Sequence, residues 1–238
     1  YFAPIALLIA IVQMLAEGLR WQMVPAYALT GLLFLVWLLH NAIPLDVAVF
    51  NILNNRAASV LSVLGLVVSI ALPIILPVFR FPHPSGLYEI GTLTYHWTDV
   101  SRQEVFSADS NARRELMVQI WYPAKKETSS PYAHYIQDSD AVTTALARLH
   151  NFREFSLKHL KYVITNATEA ATVADDKPNY PVLVFLEGLT GYRQMNTFQV
   201  EELVSHGYIV VGIDQPGVAA SVVFPDGHQI SGLSKAQM

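Results

Sequence analysis

The chain has 238 residues, of which 53% are hydrophobic and only 14% are charged, and its formal net charge at pH 7 is −4. This composition is too apolar for an ordinary soluble domain, and the negative balance argues against a protein that binds nucleic acid. The absence of cysteine excludes a disulfide framework, a thiolate nucleophile and a cysteine-based zinc site.

Three apolar segments occupy the first third of the chain, at residues 1–16, 24–43 and 57–79. A helix needs about 20 apolar residues to cross the hydrocarbon core of a bilayer, and the second and third segments have that length. The first segment taken alone resembles a signal peptide, but it has no basic flank and no small-residue cleavage site. We therefore predict a multi-span transmembrane helical anchor over residues 1–80.

The anchor segments carry very few ionisable side chains, which argues against a pump or transporter and favours a membrane multi-pass anchor. Each connecting loop offers a single arginine, so the positive-inside rule does not fix the orientation. We place the following domain on the extracytoplasmic side as a working hypothesis. The chain begins inside an apolar run without methionine and stops without a closing element, which indicates a fragment of a longer protein.

A connector rich in proline and glycine, residues 81–86, begins the second predicted domain, residues 81–238. Hydrophobic periodicity and turn residues then divide the chain into strands and helices. The predicted elements, in chain order, are strands at 88–99 and 113–122, a helix at 140–161, a strand at 182–186, a helix at 197–206 and a strand at 208–213. The first two strands form an antiparallel hairpin, and the last three elements form one parallel βαβ crossover. The predicted fold class is therefore α/β, with a mostly parallel sheet and an antiparallel start.

The crossover also carries predictions about burial. Its two strands are continuous apolar runs, which predicts strands buried on both faces. The helix between them is amphipathic, with an inward face and an outward face. The predicted inward residues are Phe198, Leu203 and Val204, and the predicted outward residues are Glu201 and Glu202.

The loop after the strand at 182–186 is the most informative feature for function. It contains Gly188 and Gly191, and a glycine-rich turn at the carboxyl end of a parallel strand presents backbone N–H groups that can bind an oxyanion. In α/β-hydrolases one oxyanion donor comes from this loop, and another follows the serine of a G-x-S-x-G turn later in the chain. The sequence contains no G-x-S-x-G turn.

A series of motifs in fixed order extends this argument. The motifs are residues 99–104 (DVSRQE), 114–124 (RELMVQIWYPA), 131–132 (PY), 187–193 (EGLTGYR) and 205–214 (SHGYIVVGID). Together they resemble the N-terminal half of plasma-type platelet-activating-factor acetylhydrolases and their bacterial, membrane-anchored α/β-hydrolase relatives. The resemblance covers most of residues 86–230.

The resemblance implies a serine esterase or lipase-like acyl hydrolase that acts on carboxylic esters, including lipid-derived ones, without metal or organic cofactor. Its serine, aspartate and histidine would all lie downstream of this chain, so the fragment itself is expected to be inactive. One catalytic position carries over, the backbone N–H of Leu189 as an oxyanion donor. The neighbouring residues Gly188, Thr190, Gly191 and Tyr192 are the candidates for substrate binding.

Three polar residues near this loop leave alternatives open. Glu187 stands where many relatives have histidine, and its carboxylate either opposes the oxyanion, with Arg193 as a possible partner, or only orders the loop. Asp214 follows the second strand of the crossover and is interpreted as ordering the loop rather than as the triad acid. His206 precedes a glycine at a helix end, where it is expected to cap the helix rather than to act in catalysis.

Two further classes of function stay open on sequence alone. A membrane-anchored structural or interaction protein needs only the anchor and a folded domain. A catalytically inactive hydrolase-like binding protein needs the pocket without the nucleophile.

Overall fold

The computed structural model describes residues 2–42, 56–105, 109–125 and 131–232, with the backbone alone described at 57–59. The chain divides into two compact units, Tyr1–Val78 and Phe79–Met238. The helices of the first unit are α1 (Phe2–Glu17), a short 3-10 helix (Trp21–Met23), α2 (Val24–Ala42) and α3 (Arg56–Ile75).

One helical stretch of the first unit, Trp21–Ala42, is long and apolar enough to cross a membrane, as judged over the described residues. The helix Phe2–Glu17 and the stretch Val60–Ile75 are apolar but shorter. Residue 43, the end of the second predicted span, lies outside the described residues. A single such stretch near an N-terminus is typical of an anchor or of a signal sequence, so the multi-span arrangement stays a prediction.

The second unit is built on a six-stranded mixed sheet in the order β3-β4-β1-β2-β6-β5, with a separate β7–β8 hairpin. Within the sheet, β1 pairs antiparallel with β2, β2 antiparallel with β6, and β5 parallel with β6. The strands are β1 (Glu89–Gln103), β2 (Arg113–Ala124), β3 (Tyr132–His134), β4 (Ile164–Glu169), β5 (Val182–Leu186), β6 (Ile209–Asp214), β7 (Ser221–Val223) and β8 (Gln229–Ser231). The helices are α4 (Ser139–Leu149), a 3-10 helix (Lys158–Tyr162) and α5 (Thr197–Ser205).

The structure confirms the predicted α/β fold class, with the opening antiparallel hairpin and the parallel crossover β5–α5–β6. The described sheet is mixed rather than mostly parallel, because β1–β2, β2–β6 and β3–β4 pair antiparallel and only β1–β4 and β5–β6 pair parallel. One predicted helix is too long, and one strand has no counterpart among the predicted elements. The helix predicted over 140–161 ends at Leu149, because Asn151 adopts a left-handed conformation with φ 56° and turns the chain away. The polar segment after it contains the unpredicted strand β4, whose Ala167 is fully buried beside β1.

Helix α5 packs on the sheet through a face that only partly matches the predicted one, because Val204 is buried as predicted but Phe198 and Leu203 are exposed. Val200 and Val204 are buried against Trp121 of β2, whereas Phe198 is 55% exposed. Glu201, which was predicted to face outward, lies on the buried side of the helix and is only 1% exposed. Its carboxylate accepts hydrogen bonds from the backbone N–H (2.7 Å) and the side-chain amide (2.8 Å) of Asn166 on β4. A buried carboxylate is tolerated where such donors satisfy it.

Strand β5 lies at one edge of the six-stranded sheet. The sequence predicted burial on both faces, but Val182, Val184 and Leu186 are each more than half exposed. An apolar edge strand with unpaired backbone groups is a place where a further strand or chain can pair.

Candidate active site

The candidate site is the loop that follows β5. Leu189 is 59% exposed, and a Cβ placed on Gly188 would have no heavy atom within 4 Å, so the bend faces open space. Neither the Gly188 nor the Leu189 N–H donates a hydrogen bond to any residue that the structure describes. Two adjacent amides at the carboxyl end of a parallel strand are therefore free to bind an oxyanion.

The rest of the loop is held firmly by backbone hydrogen bonds. The N–H of Thr190 donates to the carbonyl of Val218 (2.8 Å), and the N–H of Gly191 donates to the carbonyl of Gly188 (2.7 Å). Thr190 has φ 62°, a left-handed conformation that is uncommon for a β-branched residue. The surrounding structure therefore imposes the bend, which fixes the direction of the two free amides.

A cleft of about 700 Å³ lies beside this bend, between α4 and the β7–β8 hairpin. Small side chains make up much of its wall, and Asp140 and Arg148 are its charged members. Its other lining residues are Ala141, Thr144, Ala145, Leu149, Asn151, Thr190, Ala220, Gln229, Ser231 and Gly232. The cleft is large enough to receive part of a small organic ester.

The predicted substrate-binding residues have different surroundings. Thr190 lines the cleft, and Gly188 borders open space. Tyr192 is 8% exposed, and its hydroxyl lies 2.7 Å from that of Tyr135. Gly191 is buried and closes the bend. The substrate-binding role of these four residues stays a prediction.

Glu187 is buried beside the free amides, with 5% of its surface exposed. One carboxylate oxygen accepts the N–H of Gln215 (2.9 Å), whereas the other is buried without a hydrogen-bond partner among the described residues. Burial raises the pKa of Glu187, the N–H of Gln215 opposes that rise, and the nearby carboxylate of Asp214 adds to it. Glu187 thus ties the loop to the backbone after β6, and no hydrogen bond or ion pair joins it to Arg193 among the described residues.

The raised pKa of Glu187 predicts a pH-dependent loss of stability. Below the ordinary glutamate pKa of about 4.3, the carboxyl is protonated in the folded and unfolded chains and contributes nothing. As the pH rises above that value, the unfolded chain ionises more readily than the folded one, so the free energy of unfolding falls. In the variant Glu187→Gln this fall should be absent, as measured by urea unfolding in detergent at several pH values.

Glu202 is expected to change the free energy of unfolding with pH in the opposite direction. Its pKa is lowered because the hydroxyl and backbone N–H of Ser85 bind its carboxylate. Glu202→Gln should therefore lose stability relative to the native chain above pH 4, where Glu187→Gln gains it. Parallel profiles for the native chain and Glu187→Gln would contradict the assignment for Glu187.

Arg193 pairs with Asp214 rather than with Glu187. Both side chains are almost fully buried, at 3% and 1% exposed, and the Arg193 guanidinium contacts the Asp214 carboxylate directly. The backbone N–H of Arg193 also donates to Asp214 (2.5 Å). Burial raises the pKa of Asp214, and the guanidinium opposes that rise. The pair ties the loop after β5 to the end of β6, which is the ordering role expected for Asp214.

Sequence reasoning missed the segment between β3 and α4. Tyr135 binds Tyr192 through the hydroxyl pair, and Gln137 accepts a hydrogen bond from the Arg193 guanidinium (3.2 Å). Neither residue carries a local signal, because both contacts join positions more than 50 residues apart. His206 behaves as expected at the end of α5, where it is the C-cap residue.

No group of three or more potential metal ligands is arranged to hold an ion in the part of the chain that the structure describes. The mixed sheet and the parallel crossover, with two free amides at the bend after β5, are typical of the α/β-hydrolase fold.

Comparisons with known proteins identify the family. The model of the platelet-activating factor acetylhydrolase, isoform II, family matches residues 76–226, more than half of the chain. The chain belongs to this family of α/β-hydrolases, as its motifs predicted. It is also similar in structure to a ferulic acid esterase from Streptomyces cinnamoneus, with 31% sequence identity and a TM-score of 0.52. The similarity covers 64% of this chain and 40% of the esterase chain. No curated protein matches the chain.

Proposed function

We propose that the whole protein is a serine-dependent hydrolase of carboxylic esters, and that the backbone N–H of Leu189 is one of its oxyanion donors. The observation that carries this proposal is the pair of unengaged amides at Gly188 and Leu189, which border open space after β5. Family membership and the similarity to an esterase support it.

In the proposed reaction a serine oxygen attacks the ester carbonyl while a histidine accepts its proton. The carbonyl oxygen becomes an oxyanion that accepts the N–H of Leu189, and the alkoxide leaves with a proton from the histidine. Water then hydrolyses the acyl-enzyme by the same steps. A preorganised donor of this kind lowers the barrier by about 3 to 4 kcal/mol, because it is aimed at charge that develops only in the transition state.

The nucleophile is expected from a part of the whole protein other than this sequence, which has no G-x-S-x-G turn. The exposed apolar edge of β5 supports this expectation, because it offers a pairing surface beside the free amides. This chain by itself is expected to be inactive, and any esterase activity of residues 1–238 alone would contradict that expectation.

The test of the proposed function uses the full-length protein, a chromogenic short-chain ester and an alkyl fluorophosphonate. We expect turnover of the ester, loss of that turnover after treatment, and a mass increase of one phosphonyl group on a serine. A protein that binds esters without turnover and without labelling would instead be a catalytically inactive, hydrolase-like binding module.

We also propose that the apolar helices before residue 79 anchor the protein as a multi-pass membrane protein, with the hydrolase domain outside the cytoplasm. The apolar stretch Trp21–Ala42 supports a membrane role. Because residues 1–238 contain no cysteine, single cysteines introduced at Gly18 and His83 of this stretch, expressed by itself, can be tested in intact cells with a membrane-impermeant maleimide. In a three-span anchor Gly18 follows the first span and His83 follows the third, so two spans separate them and both lie on the same side of the membrane. With the hydrolase domain outside the cytoplasm, the maleimide should label both positions. Labelling of neither position, or of only one, would contradict this topology.

A further inference from the structure

The first ten residues of the second unit form a strap, defined as residues 79–88. The sequence suggests a simple connector here, but the structure shows a segment bound along its length to the hydrolase fold. A Cβ on Gly86 would lie 2.1 Å from the carbonyl oxygen of Ser205, so the backbones are in direct contact. The bonds of the strap are Asn166 Nδ2 to Pro82 O (3.0 Å), Ser85 N to Glu202 Oε2 (2.9 Å), Gly86 N to Ser205 Oγ (3.1 Å) and Tyr88 N to Ser205 O (3.1 Å).

The beginning of the strap packs on Tyr135. Phe79 and Phe81 both meet its ring edge-on, with ring centroids 5.9 and 5.1 Å from that of Tyr135. The two phenylalanines also contact each other, at 5.2 Å. Edge-to-face pairs of this kind favour one mutual orientation, so the two phenylalanines of the strap hold the ring of Tyr135 in place.

On its other side Tyr135 reaches the loop after β5. Its ring lies edge-on to that of Tyr192, at 6.1 Å, and the two hydroxyls form a hydrogen bond of 2.7 Å. Both tyrosines are less than 10% exposed. If this hydrogen bond were broken, both buried hydroxyls would lose their partner, which costs free energy. The bond therefore favours one mutual arrangement of the two side chains.

The loop needs such support because the amides of Gly188 and Leu189 form no hydrogen bonds with the described residues. Their direction depends on how the loop is held at its two sides. Val218 binds Thr190 on one side, and Tyr135 binds Tyr192 on the other.

We propose that the strap positions the oxyanion loop through Phe81, Tyr135 and Tyr192, so that the attachment of residues 79–88 sets the geometry of the Leu189 amide. This inference rests on the proposed ester hydrolase function. All three act as positioning residues and do not contact substrate in this proposal. Tyr192, which the sequence places among the substrate-binding candidates, would act here through its buried hydroxyl instead. Displacing the strap therefore changes the rate of the chemical step more than it changes substrate binding.

The test compares three variants of the full-length protein: Phe81→Ala, Tyr192→Phe and the control Tyr122→Phe. Tyr122 is a buried tyrosine whose hydroxyl donates to the carbonyl of Ala171 (2.7 Å), away from the loop, so it matches the chemical change in Tyr192→Phe. Two quantities are measured, the hydrogen exchange of the peptide covering residues 187–196 and the kinetic constants for a chromogenic ester.

We expect faster hydrogen exchange of the 187–196 peptide in Phe81→Ala and in Tyr192→Phe but not in Tyr122→Phe. We also expect kcat to fall about tenfold in the first two variants, with KM nearly unchanged, because misplacement of a catalytic donor slows the chemistry rather than the binding. The double variant should lose less than the product of the two single effects, because both changes break the same chain of contacts.

The proposal is overturned if Phe81→Ala and Tyr192→Phe match Tyr122→Phe in loop exchange and in kcat. Should Phe81→Ala fail to fold, Phe81→Leu keeps the apolar volume without the ring and is expected to show the same two changes. If the native protein does not turn over the ester, the proposed hydrolase function is refuted, but the positioning role of the strap is not. In that case the exchange of the 187–196 peptide still decides whether the strap holds the loop.

Discussion

Replacing Leu189 with proline in the full-length protein is expected to lower kcat by about 100- to 1,000-fold, with a much smaller effect on KM. Proline has no N–H, so the variant removes the proposed donor itself rather than a side chain. The loss falls on kcat because the hydrogen bond is strongest to the oxyanion, which exists only in the transition state and the intermediate. Steady-state kinetics on a chromogenic ester measure both constants.

The matched control is Leu189→Ala, which keeps the amide and removes only the side chain. Since Leu189 is 59% exposed, this change should leave kcat within about threefold of the native value and stability within about 0.5 kcal/mol. A proline variant that folds normally and retains native kcat would show that the Leu189 amide plays no part in the reaction. An alanine variant as inactive as the proline variant would show that the side chain, not the amide, is needed.

The second large effect is expected on stability, at the buried pair of Arg193 and Asp214. The variant Asp214→Asn keeps the shape of the side chain but leaves the Arg193 guanidinium buried without its carboxylate. Removing one partner of a buried ion pair costs about 3 to 5 kcal/mol, because the remaining charge is not solvated. Gln137 and Asp138 also contact the guanidinium, at 3.2 and 3.6 Å, which favours the lower end of that range.

An exposed pair on the same unit provides the control. Arg148 and Glu154 are 69% and 56% exposed and form an ion pair of 2.7 Å. Glu154→Gln makes the same change from acid to amide, but water screens the pair, so the expected loss is about 0 to 1 kcal/mol. Urea unfolding of both variants in detergent gives the comparison. Equal losses in the two variants would mean that the buried pair does not hold the loop in place.

The features that the sequence predicted correctly are those with local signals. The crossover β5–α5–β6 was predicted because each strand is a continuous apolar run followed by a turn, and the helix between them has its own periodicity. The position of Leu189 at the bend could be predicted for the same reason, since a backbone amide depends on the path of the chain and not on a distant side chain.

The features that were missed depend on neighbours that are distant in sequence. Glu201 lies inside because Asn166, 35 positions away, supplies two donors to its carboxylate. Strand β4 gives no apolar pattern because its two buried side chains are Thr165 and Ala167, one of them polar and the other small. The exposure of β5 follows from its place at the sheet edge, which periodicity does not reveal.

The candidate site shows the same division. The free amides follow from a glycine-rich bend, but the side chains that hold the bend include Tyr135, Gln137 and Asp214, which lie far from it in sequence. Each of these contacts joins two residues that are more than 20 positions apart in the sequence. The sequence suggested Arg193 as a partner of Glu187, whereas the fold brings Arg193 to Asp214 and gives Glu187 the N–H of Gln215.

The most direct test of the account is a crystal structure of the full-length protein after reaction with an alkyl fluorophosphonate, whose phosphonyl oxygen stands in for the oxyanion. We predict that this oxygen lies about 2.7 to 3.1 Å from the backbone nitrogen of Leu189. An adduct whose oxygen is bound by other donors, with the Leu189 N–H turned away from it, would contradict the central claim.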